Sequence, residues 1–107
     1  MEAVPCKGCT VRKEHLNNAL RNFRKTCAQI SLLNRHHADV SKRYMTAKKD
    51  DHRIFRYRLR MRMSTIEGVR EMYIDYAIYL ADFLADLRST MVGQEADAAD
   101  EILGTTS

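Results

Sequence analysis

Along two stretches of the chain one position recurs every seven residues: Leu16, Phe23, Ile30, His37 and Tyr44, then Leu59, Ile66, Tyr73, Leu80 and Leu87. Every member is large and apolar or aromatic except His37. Seven residues is close to two turns of α-helix, so each ladder stays on one helical face and needs apolar cover. Paired from the inside outward, Tyr44 meets Leu59, His37 meets Ile66, Ile30 meets Tyr73, Phe23 meets Leu80 and Leu16 meets Leu87. The two numbers of each pair always have the same sum, which is the register of two antiparallel arms folded about a turn. The predicted fold is all-α: a coiled-coil-like hairpin of two long helices, packed into a larger bundle by dimerisation or hetero-assembly.

The elements follow from the same pattern. Residues 1–9 are expected to be a flexible head, and the first helix to span 10–48, capped by the Thr10 hydroxyl. Its inner face is completed by Ala19, Thr26, Leu33, Val40 and Ala47, flanked by Leu20 and Cys27. A turn at 49–52 leads into a second helix at 53–92, capped by a carboxylate of Asp50-Asp51 and closed by Gly93 in the left-handed conformation. Residues 93–107 carry Glu95, Asp97, Asp100 and Glu101 among small residues and read as an acidic flexible tail, with at most a helical turn at Ile102 and Leu103. The linking stretch has neither Gly nor Pro, so one unbroken helix is the alternative. Tyr44 and Leu59 are fifteen residues apart, one more than two heptads, and that slip of phase favours the turn.

The second arm is more apolar than a two-helix hairpin can use. Met63, Ala77 and Leu84, then Val69, Tyr76 and Phe83, widen its stripe, and Ile74, Ile78 and Tyr79 lie outside it. A helix apolar around most of its circumference is usually buried on more than one side. Tyr73, Ile74, Tyr76, Ile78, Leu80, Phe83, Leu84 and Leu87 are therefore the expected partner interface, with a second copy or another helical subunit opposite.

Composition agrees with long helices: 107 residues, 45% apolar and 30% charged, with Pro5 the single proline. Met72 to Leu87 is the most apolar stretch, but Asp75, Asp82 and Asp86 interrupt it and it is shorter than the roughly 20 residues a bilayer needs. The start of the sequence lacks a signal-peptide pattern, and three cysteines do not form a disulfide framework, so the expected compartment is cytoplasm or nucleus.

Charge is strongly polarised. Residues 1–65 hold 16 Lys and Arg against 5 Asp and Glu, a balance of +11, whereas 66–107 hold 2 against 9, a balance of −7. Lys48, Lys49, Arg53, Arg56, Arg58, Arg60 and Arg62 crowd the turn, opposed there by Asp50 and Asp51. Such a patch suits nucleic-acid phosphates, an anionic membrane surface or an acidic protein, or serves as a solvated face. No base-reading or zinc-finger motif accompanies it.

Cys6-Lys7-Gly8-Cys9 has the spacing of two zinc ligands, but it is half a site, and free thiols are the preferred reading. No metal or other cofactor is expected. His37 is read as a register-fixing polar residue in the seam. No phosphate loop, nucleophile elbow or apolar carboxylate pair is present, so no enzyme is expected. The leading expectation is a non-enzymatic scaffold or adaptor subunit of an intracellular complex, docking through the second helix; a nucleic-acid or polyanion module using the basic turn is the alternative.

Overall fold

The computed structural model describes residues 7–50 and 52–104, with side chains from Val11 onward. It contains α1 (Lys7–Lys49), α2 (Arg53–Ser89) and α3 (Gly93–Gly104), with no strand among the described residues. The two long helices pack against each other as a hairpin. Helix α1 starts three residues before Thr10, which lies inside it and so does not cap it.

The turn forms without glycine because backbone hydrogen bonds carry it. The Asp50 amide donates to the Thr46 carbonyl (3.0 Å), and the His52 amide reaches five residues back to the Ala47 carbonyl (3.0 Å). That longer bond belongs to a Schellman-type helix end and satisfies carbonyls that α1 would otherwise leave open. The His52 carbonyl then accepts the Arg56 amide at 2.8 Å, so His52 stands at the N-cap position of α2. Asp51, one of the two expected capping residues, lies outside the described residues.

Contacts group into two compact units. One comprises Thr26–Tyr76, containing the turn; the other holds the described residues up to Lys25 together with those from Ala77 on. In the turn-containing unit Val40, Ala47, Leu59 and Ile66 form the core, with Leu33, Tyr44 and Met63 packed against it. Its register is marked by two polar pairs, His37 Nε2 with Glu67 Oε1 at 2.9 Å and Arg70 Nη1 donating to Asn34 Oδ1 at 3.1 Å. Their residue numbers share one sum, offset by one from the ladder pairs, as expected for flanking positions of the same register. His37, half-buried, directs its ring to the Glu67 carboxylate, where the polar atom is satisfied.

The other unit corrects the expected tail. Gly93 to Gly104 is a helix, and Ala96 and Ala99 are buried with Leu16, Leu20, Leu80, Leu84 and Met91. Phe23, Phe83, Leu87, Ile102 and Leu103 pack against that core. Two alanines on one face let α3 approach closely, alanine has the highest helix propensity, and Glu95 in the first turn complements the helix dipole. Helix α2 ends at Ser89, earlier than expected. Its last carbonyls accept from Ser89 Oγ (to Asp86, 2.6 Å) and Thr90 Oγ1 (to Leu87, 2.7 Å). Gly93 does adopt the left-handed conformation, φ 61°, but as the residue that redirects the chain into α3.

Candidate functional site

The eight expected interface residues of α2 divide between core and surface. Leu80 and Leu84 are buried beneath α1 and α3, and Phe83 and Leu87 pack against that core. Tyr73 is half-buried. Ile74, Tyr76 and Ile78 remain exposed, joined by two residues outside the expected set, Met72 at 72% and Tyr79 at 63% of full exposure. Part of the second surface that α2 demanded is thus supplied by the chain's own α3. What stays open is Met72, Ile74 and Tyr76 in the turn-containing unit, and Ile78 and Tyr79 in the other. Within the latter, Tyr79, Leu80 and Phe83 form one wall of a shallow groove whose other wall is His15, Asn18, Ala19 and Asn22 of α1.

Two arginine forks hold α3 in place. Arg12 of α1 grips Glu95 through Nε–Oε1 at 2.6 Å and Nη2–Oε2 at 3.0 Å. Arg88 of α2 grips Asp100 through Nε–Oδ1 at 2.7 Å and Nη2–Oδ2 at 2.9 Å. Bidentate, charge-assisted pairs of this kind fix orientation as well as adding attraction. The hydrogen bonds from the guanidinium groups hold both carboxyls below their usual range, and the same bonds push both arginines up.

At the turn, Lys48, Lys49, Arg53, Arg58, Arg60 and Arg62 are exposed and Arg56 is half-buried. Lys48 and Lys49 complement the negative end of α1. The arginines of α2 do the reverse: its first turn contains no acidic residue, so they crowd the positive end of their own helix. Three apolar side chains that fall outside the ladders are interleaved with them, Ile54 (75% exposed), Phe55 and Tyr57. His52, Arg53, Ile54, Phe55 and Arg58 line one shallow depression. Sequence reasoning found the basic residues and missed these apolar ones, although their position off the heptad ladder was the available signal.

Cys6 lies outside the described residues, and of Cys9 only the backbone, in the first turn of α1, lies within them. Cys27 is half-buried and carries no disulfide. Among the described residues no group of three or more His, Cys, Asp or Glu side chains could hold a metal ion. Asp75, Asp82 and Asp86 are all exposed. No described helix is long and apolar enough to cross a membrane. No protein-family model, curated protein or solved structure shows significant similarity to this chain.

Proposed function

We propose that the chain is a non-enzymatic helical adaptor that joins an intracellular protein complex, in cytoplasm or nucleus, through the exposed apolar residues of α2. One observation carries this reading. After α1 and α3 have covered Leu80 and Leu84, α2 still presents Met72, Ile74, Tyr76, Ile78 and Tyr79, five large side chains within eight positions. Single exposed apolar residues are ordinary; helical spacing groups Met72, Tyr76 and Tyr79 on one flank of the buried stripe and Ile74 with Ile78 on the other, and such grouping supports contact with a partner. Tyrosine and methionine are also types enriched at protein interfaces. The exposed carboxylates of Glu71, Asp75 and Asp82 beside them suit a partner helix with an apolar stripe and a basic rim.

The test is the double substitution Ile74→Asp with Ile78→Asp in the full chain. Expected is retained helicity by circular dichroism, with loss of the higher-mass species in solution or of the subunits that co-purify from the source cells. Unchanged mass together with unchanged complex composition refutes the reading. The crowding of arginines at the positive end of α2 favours a second reading, polyanion binding at the turn.

A further inference from the structure

Going beyond protein docking on α2, we infer that the turn between α1 and α2 is a docking tip for an anionic lipid surface, with Ile54 and Phe55 entering the headgroup layer and the surrounding basic residues meeting lipid phosphates and carboxylates. The first observation is electrostatic. Arg53, Arg56 and Arg58 lie in the first two turns of α2, whose first turn contains no acidic residue, and Arg53 and Arg58 are exposed. A dense layer of negative charge complements this concentration of positive charge. The second is the apolar content of the same surface. Ile54 is 75% exposed in the first turn, Phe55 shares the depression with His52, Arg53 and Arg58, and Tyr57 follows.

This combination discriminates between polyanions. Nucleic-acid surfaces reward arginine and aromatic stacking, but an exposed isoleucine gains nothing from a phosphate backbone or a base face. A bilayer interface takes all three kinds of side chain: aliphatic and aromatic groups enter the acyl boundary, tyrosine sits at headgroup level, and arginine keeps its charge among the headgroups while its stem is buried. Docking of this kind rests on the surface and requires no spanning helix.

The experiment is co-sedimentation of the full chain with phosphatidylcholine vesicles, with and without phosphatidylserine, alongside a short duplex DNA at the same salt concentration. Expected is partition onto the phosphatidylserine vesicles alone, weakening as salt rises. Arg53→Gln with Arg58→Gln should reduce that partition about thirty-fold, near five-fold per charge. Ile54→Ser with Phe55→Ser should reduce it about ten-fold or more. The conservative variant Phe55→Trp should show a blue-shifted emission with phosphatidylserine vesicles only, a readout that leaves the helix start intact. No partition onto anionic vesicles overturns the inference. So does partition indifferent to Ile54 and Phe55, an unshifted Trp emission, or DNA binding tighter than vesicle binding and unaffected by the Ile54 and Phe55 changes, which would assign the tip to nucleic acid.

Discussion

Leu80 and Ile78 are two residues apart on the same helix, and the fold gives them opposite roles. Leu80 is 5% exposed, in the core with Leu16, Leu20 and Leu84; Ile78 is 55% exposed. Leu80→Ala removes three carbons from a nearly fully buried site, a transfer loss of about 2 kcal/mol at roughly 0.8 kcal/mol per methylene. The cavity left behind raises the cost into the range of about 2–5 kcal/mol. For a domain of this size, whose total stability is on the order of 5–15 kcal/mol, that is a large fraction. Ile78→Ala should change stability by no more than about 0.5 kcal/mol, because its side chain is already largely wet in the folded chain. Urea unfolding of both variants, followed by circular dichroism at low protein concentration, measures the contrast. Equal destabilisation at the two positions would mean that Ile78 is covered in the free protein, so that the α2 surface is not open. A cost below about 1 kcal/mol at Leu80 would refute the packing of α1, α2 and α3 around it.

The clamp on α3 should be acid-labile. Glu95 and Asp100 have depressed pKa values in the folded chain, so their contribution is present above the ordinary carboxylate range and is lost as pH falls through the depressed values. The methyl resonances of Ala96 and Ala99 should therefore shift below about pH 4 while the turn-unit core residues Val40 and Ile66 stay native-like, and a flat titration of the alanine methyls would contradict the clamp. Gly93→Ala forces a side chain into the left-handed region at φ 61° and should cost about 1–2 kcal/mol by urea unfolding, even though nothing crowds the site. Glu67→Ala removes the carboxylate facing His37 at an exposed edge and should cost no more than about 1 kcal/mol in the same assay, since the apolar core of that unit is untouched.

The hairpin was legible because a ladder of period seven specifies both a helical face and, through its pairing, a register; the His37–Glu67 and Asn34–Arg70 contacts lie in that register. The turn was legible only as a slip of phase. Its chemistry was not, since the bond from the His52 amide to the Ala47 carbonyl depends on backbone geometry that no Gly or Pro announces. Helix α3 was misread for a related reason. Its four acidic residues and small side chains resemble a solvated tail, and its contribution rests on Ala96 and Ala99 fitting beside Leu16, Leu20 and Leu84 and on carboxylates placed opposite Arg12 and Arg88. Residue type alone carries none of this. The need for extra cover on α2 was visible in Leu80, Leu84 and Leu87, but a sequence does not say whether the cover comes from the same chain.

That division of cover bears on function. Where apolar residues and carboxylates can satisfy one another within the chain, the fold uses them: Leu80 and Leu84 lie under α3, Glu95 and Asp100 close on arginines, and Asp39 pairs with Arg43 at 3.3 Å. No buried side-chain polar atom among the described residues lacks a hydrogen-bond partner. Against that economy, two stretches of α2 stand out because their own helix offers a better alternative. The first turn of α2 contains no acidic residue and is followed closely by Arg56 and Arg58, and Met72, Ile78 and Tyr79 are exposed where polar residues would suit solvent better. Solubility explains neither placement, since it requires charge but not charge at a positive dipole, and it is opposed by exposed Ile and Met. The two proposed surfaces would cover both placements, an anionic one at the first turns of α2 and an apolar one along its middle.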